Sequence, residues 1–279
     1  MSKHHKVIWF FWYQGISDAP EIVVKCLSSW QTKNPDWKVI ALNSVSLPKY
    51  LPDFNAHQIL SSGLNHAALS DLIRINLLYK YGGIWVDATT YCRQSLSHWL
   101  DYTHENFFFA FTHPGNDRLI ASWFLASSPQ QLIIKNWHGL CCTYWRGFLP
   151  YHQKSRFWIF FEPNIRRILR LFPSIRITIF VNYLFPKFFK VYPYFWFHYL
   201  FNYAVLKYPD FSKSFYSMKS FDAKYGHHAI KIGLNKTIAG DSVDCIKSKL
   251  GPVIKLRYRN IILSKESLIT KILNGDLDE

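Results

Sequence analysis

The chain has 279 residues, enough for one large α/β domain or for a domain with an appended subdomain. Hydrophobic residues make up 49% and charged residues only 18%, which excludes disorder and collagen-like repeats as the overall class. Lysine and arginine outnumber aspartate and glutamate 33 to 18 and aromatics reach 18%, so this basic chain is expected to seek anionic partners and reads first as a protein that works at a membrane surface.

The opening MSKHHKVIWFFWYQG is basic, but its apolar stretch is too short for a signal peptide and leads to no cleavage site. Val7 to Trp12 reads as a buried first strand that ends at Gln14-Gly15. Ala19-Pro20-Glu21 opens a helix whose apolar face carries Val23, Leu27 and Trp30. After the Asn34-Pro35-Asp36 turn, Lys38 to Leu42 is a second buried strand, completing a β-α-β unit of the kind that builds parallel sheets. Residues 43–63 read as loop. From Asn65 a helical spacing of Leu69, Leu72, Ile73, Asn76, Leu77 and Lys80 runs to a glycine stop at Gly82-Gly83. Ile84 to Val86 is a short strand that delivers Asp87 to its end, where ligands sit in open α/β sheets. Phe107 to Phe111 and Ala121 to Ala126 read as two strands, or as a strand and a helix start, and Gln130 to Trp145 as a helix.

Residues 146–213 change character. They carry 11 basic against 2 acidic residues and 22 of the 51 aromatics. This segment reads as an inserted, basic, aromatic helical piece facing a membrane, or as an aromatic core under a basic surface. The expected organisation is therefore an α/β half at 1–145, the insertion at 146–213, and a C-terminal part of the same domain at 214–279. No apolar run reaches the roughly 18 residues of a membrane span. The expected location is cytoplasmic, with peripheral attachment to the inner leaflet as the membrane-facing version. The five cysteines (26, 92, 141, 142 and 245) show no zinc spacing and read as buried free thiols.

The chemistry concentrates between His66 and Thr90. Asp71 and Arg74 are three apart on one helical face and can serve one ligand together. Ser70 precedes them, and the glycine stop and strand bring Asp87 to the same crevice. Carboxylates accept hydrogen bonds from sugar hydroxyls, arginine donates to hydroxyls or phosphate, and an aspartate can hold a divalent cation on a diphosphate. Each feature has an ordinary structural reading, as a salt bridge, a stop signal or a lone acid; it is their order that points to a site. His227-His228 reads as loop, Cys141-Cys142 as packing, and no GxSxG, HExxH, P-loop or GxGxxG motif is present.

SDLIRINLLYKYGGIWVDAT closely resembles the signature of the capsular polysaccharide synthesis family of glycosyltransferases, and VIWFFWYQG, APEIV, SSWQTKNPDWKV and ASWFLAS extend the resemblance over residues 5–145. Initiating mannosyltransferases and large glucosylating toxins are similar at a distance. The resemblance implies a GT-A-type nucleotide-sugar-binding α/β fold with a Rossmann-like β-α-β sheet. It also implies a sugar transferase acting from a nucleoside diphosphate sugar onto a glycan or lipid-linked glycan, with retention of configuration. Carried over, Trp12 lines the nucleotide base, Asp71 and Arg74 meet the donor sugar with Ser70 among the binding residues, and Asp87 is the first acid of the DXD motif and the metal ligand. The second acid is Thr89 here, which weakens the expected manganese or magnesium site. No histidine follows His228 to supply a late ligand; Asn235, Asp241 and Asp244 are the candidates to replace it. Lys255 and Arg257 are the cations best placed in sequence to help neutralise a leaving diphosphate. The alternatives are an inactive glycosyltransferase-like protein that binds membranes, or a nucleic-acid binder, the latter without any RRM, KH or helix-turn-helix signature.

Overall fold

The computed structural model describes residues 6–102, 104, 106–145, 181, 192–239 and 242–279. Its centre is a five-stranded mixed sheet. Strand β1 (Val7–Phe11) is flanked by β2 (Lys38–Leu42) and β3 (Gly83–Asp87), both parallel to it. Next to β3 lies the antiparallel β6 (Arg118–Ser127), paired at the edge with β5 (Phe108–Gly115). The β-α-β expectation is met, and both later segments are strands.

All five residues of β1 are buried, as a central parallel strand requires. Successive side chains feed opposite cores. Ile8 and Phe10 join Ile84, Val86, Phe109 and Phe111 on one face, under helix α1 (Glu21–Lys33). Trp9, Phe11, Trp85 and Leu125 join the other, under α3 (His66–Tyr81) and α4 (Leu132–Trp145). The stretch read as loop contains a 3-10 turn at Leu47–Lys49 and the short helix α2 (Ala56–Ser61), which starts where the Asn55 side chain accepts from the Gln58 amide. That cap signal is only one residue long, which is why hydrophobic spacing misses it.

Helix α3 is built from local signals at both ends. The Asn65 side chain accepts from Ala68 N, and Gly82 closes the helix at a φ of 65°. The Gly-Gly pair does more than stop the helix. A Cβ on Gly83, at a φ of 91°, would lie 2.5 Å from Val7 Cγ1, and Trp9 Nε1 donates to Gly82 O at 2.9 Å. Only glycine lets β3 pair this closely with β1.

Of the stretch 146–213, helices α5 (Trp196–Lys207) and α6 (Pro209–Tyr216) are among the described residues. Trp196, Phe197, Phe201, Phe211 and Phe215 are buried in the second core, with Trp137 stacked on Phe197 at 4.0 Å. From 192 onward part of the aromatic excess is core, while Tyr194 is exposed and Tyr192, Phe195, Tyr203 and Tyr208 are half-buried; the insertion reading for most of 146–191 lies outside the described residues. Short helices α7 (Ala223–Gly226), α8 (His228–Ile232), α9 (Ser242–Lys247) and α10 (Leu268–Leu273) follow. Strand β7 (Val253–Lys255) returns to pair antiparallel with β4 (Thr90–Cys92), matching Thr90 with Lys255. All five cysteines are free; Cys26, Cys92 and Cys141 are buried, but Cys142 and Cys245 are exposed, against expectation. No helix among the described residues is long and apolar enough to cross a membrane.

Candidate active site

The parallel register sets Phe11 beside Asp87, so the chain beyond β1 and the chain beyond β3 leave the sheet at the same edge. An open cleft of about 450 Å³ lies there. Its lining includes Trp12, Ser70, Asp71, Arg74, Asp87, Thr89 and Lys255, among the residues the sequence nominated for binding or catalysis. Arg257 is not brought into it, and neither are Asn235 and Asp244; Asp241 lies outside the described residues. Asn235 is spent on a loop, donating to Asn260 O and accepting from Ile262 N.

Arg74 is the hub. It is 3% exposed and ion-pairs with Asp71 at 3.3 Å and Asp87 at 3.0 Å. Its other donors reach Ser122 O at 2.6 Å and Ser70 O at 3.3 Å, while its guanidinium sits 5.1 Å from the centre of the Trp85 ring. A planar fork with this many partners is locked in one orientation. Asp87 Oδ1 accepts from Arg74 and from Trp85 Nε1 at 3.1 Å, and Oδ2 accepts from Lys255 Nζ at 2.9 Å. Lys255 also donates to Thr89 Oγ1 at 2.9 Å. The lysine is held there by backbone: β7 pairs with β4, and Leu256 N donates to Thr89 O at 2.7 Å.

The two carboxylates are driven apart. For Asp87, burial works to raise the pKa, but Lys255 and then Arg74 outweigh it and hold the group down at about 2. For Asp71, burial dominates, Arg74 only partly offsets it, and the Asp87 charge adds to the rise, to about 7. Asp87 is therefore a permanent anion, and Asp71 exchanges its proton near neutrality.

Several cleft residues escaped the sequence reading. Tyr258 sits edge-on to Trp12 at 5.4 Å. Arg118 stacks over Phe195 at 3.8 Å, and His198 joins them from α5. His198 is held neutral, its pKa lowered to about 3 by burial and then by Arg118 and Arg74. His227, in the turn between α7 and α8 as read, also lines the cleft beside Trp123 at 5.7 Å, whereas His228 starts α8 and stays outside. Nothing local in the sequence marks these residues; the one available signal, a histidine pair whose members face opposite ways, did not say which side was the site. The ring nitrogens Trp12 Nε1, Trp123 Nε1 and His198 Nδ1 are buried and have no hydrogen-bond partner among the described residues. Four cations (Arg74, Arg118, Lys255, Arg259) face two carboxylates across the lining, leaving it net positive.

The donor set does not fit the expected divalent cation. Both oxygens of Asp87 are engaged by cationic or N–H donors, Thr89 offers only a hydroxyl, and that hydroxyl is taken by Lys255. Among the described residues no group of three or more His, Cys, Asp or Glu side chains converges to hold a metal.

Residues 1–155 match the family model described as capsular polysaccharide synthesis protein. The chain belongs to this family. Curated relatives agree at low identity. Glycosyltransferase afumC of Aspergillus fumigatus is 27% identical over 158 residues, 50% of this chain and 40% of that protein. O-glycosyltransferase PaGT of Phomopsis amygdali is 24% identical over 158 residues, 50% of this chain and 39% of that protein. The chain thus spans about two fifths of the length of these relatives. A solved structure named PaToxG Glycosyltransferase aligns with 98% of this chain and 84% of its own at 12% identity, with a TM-score of 0.43.

Proposed function

We propose that the cleft binds a nucleoside diphosphate sugar and transfers its sugar, with retention, to a hydroxyl of a surface glycan or lipid-linked glycan. The observation that carries this reading is Asp87, fixed at the end of β3 between Arg74 and Lys255, with Asp71 and Trp12 on the same cleft. Trp12 and Tyr258 offer aromatic faces to the base. Lys255 and Arg259 meet the diphosphate. Asp71 and Arg74 hold the sugar hydroxyls, and the Arg118–Phe195–His198 wall faces the acceptor.

In the reaction, the bond from the anomeric carbon to the diphosphate oxygen breaks and its electron pair leaves with the diphosphate. The acceptor oxygen forms the new bond, and its proton passes to the departing diphosphate. No residue is needed as general base on this route; the protein orients two reactants and stabilises the charge that grows on the leaving group. The family name and the relatives' names, glycosyltransferase and O-glycosyltransferase, support the reaction class.

A thermal-shift screen of nucleotide sugars tests the reading. One donor is expected to raise the wild-type Tm, and Asp71→Ala and Asp87→Ala are expected to abolish both that shift and turnover while keeping a cooperative melt. If no nucleotide sugar shifts the wild type, the reading fails; wild-type turnover in either variant removes that residue from the site.

A further inference from the structure

A cation that bridges a nucleotide diphosphate to protein needs a carboxylate with a free oxygen, and usually a second ligand close by. Here the two residues in the motif positions, Asp87 and Thr89, are already bridged. The Lys255 ammonium lies 2.9 Å from Asp87 Oδ2 and 2.9 Å from Thr89 Oγ1. The remaining oxygen of Asp87 serves Arg74 and Trp85. A divalent ion entering this point would have to displace an ammonium and then share the space with it, which like charge opposes.

The lysine is not a surface side chain that happens to fold inward. Its strand is hydrogen-bonded beside the motif turn, its side chain is about four-fifths buried, and that turn is itself closed by Thr90 Oγ1 donating to Asp87 O at 2.6 Å. Two of its three N–H groups are used, and the third has no partner among the described residues, so it is available to an incoming phosphate oxygen. Arg118 and Arg259 line the same cleft and add positive charge without requiring any ligand atoms from the protein.

We infer that the Lys255 ammonium occupies the position a divalent ion would take between Asp87 and Thr89, and that this site binds and neutralises its donor diphosphate without a metal. The inference rests on the cleft being a nucleotide-sugar site, and it replaces the metal expected there with a residue of the chain itself.

The test uses UDP, GDP, ADP and dTDP as probes, with binding to the full chain measured by calorimetry in EDTA and in excess MnCl2. At least one diphosphate is expected to bind the wild type equally well in both. Lys255→Ala is expected to weaken that binding about tenfold or more in EDTA, as loss of a charge-assisted contact should, and Lys255→Arg to retain most of it. The ion alone gives an independent reading on the wild type, without any variant. The electron paramagnetic resonance signal of free Mn2+ is expected to stay unquenched by the wild type and to be quenched by Lys255→Ala, in which an Asp87 oxygen is released. Diphosphate binding that requires Mn2+, or Mn2+ bound by the wild type alone, overturns the inference and leaves the nucleotide-sugar reading standing. If no diphosphate binds under either condition, the nucleotide-sugar reading fails and this inference fails with it.

Discussion

Asp71 shows how burial and ion pairing compete on a single side chain. Its raised pKa means that the folded chain holds a proton which the unfolded chain, with an ordinary aspartate near 4, has already lost. Stability from this group is therefore present at low pH and is lost as pH rises towards about 7. Asp71→Asn removes the buried charge at nearly constant volume. It is expected to raise the Tm at pH 8, by about 2–4 °C for each kcal/mol recovered, and to gain little at pH 5, while donor binding falls. A variant that loses stability equally at both pH values would show that the Arg74 ion pair outweighs burial. Asp87 has the opposite sign. Its depressed pKa contributes stability above about pH 4 that is lost as pH falls towards 2, so Asp87→Asn is expected to flatten the acid limb of the stability profile. Asp71, Arg74 and Asp87 were legible from sequence because spacing on a helix and position at a strand end are local properties. Lys255 was legible only as a charge in need of a partner, since its contact with Asp87 spans 168 residues. Arg257 failed because charge gives no direction: Lys255, Tyr258 and Arg259 line the cleft, and Arg257 between them does not.

At the level of elements, the same division holds. The glycine stop at Gly82-Gly83 and the order of the first β-α-β unit are written in short patterns and form as read, except that β2, read as buried, is an edge strand in which only Leu42 is buried. The reversal at β5 and β6 is not, because the choice between a further parallel strand and an antiparallel hairpin depends on what packs against the sheet. The aromatic residues of α5 look interfacial in sequence, yet they fill the face opposite α1, where Phe197 also lies 5.8 Å from the Arg74 guanidinium. Composition cannot distinguish a greasy surface from a greasy core. Two substitutions probe these contacts. Gly83→Ala places a methyl against Val7 at a backbone angle alanine resists, and chemical denaturation is expected to show a loss of at least about 2 kcal/mol. Phe197→Ala removes a fully buried ring stacked on Trp137 and is expected to cost about 3–5 kcal/mol. A near-neutral result for the second would mean that α5 is not part of the folded core.

For the whole molecule, the net charge is +15, and the two additional positive charges in the cleft account for little of it. Residues 146–191 hold 9 basic residues against 1 acidic, together with 12 aromatics. If they meet the inner leaflet, the protein is expected to float with anionic liposomes at low salt and to be released at high salt. A protein that stays in the soluble fraction under both conditions removes the membrane from its partners. The β4–β7 ladder has a further consequence, for the order in which activity can arise. During synthesis Asp87 leaves the ribosome far ahead of Lys255, and the N-terminal sheet can assemble while the late strand is still unmade. A nascent chain thus carries Asp87 with Arg74 but without its second counter-charge, Lys255, and closing that distant ladder is a slow, high-contact-order event. Chain connectivity alone sets the order of assembly: the cleft acquires its full complement of charges only when the strand that carries Lys255 has docked.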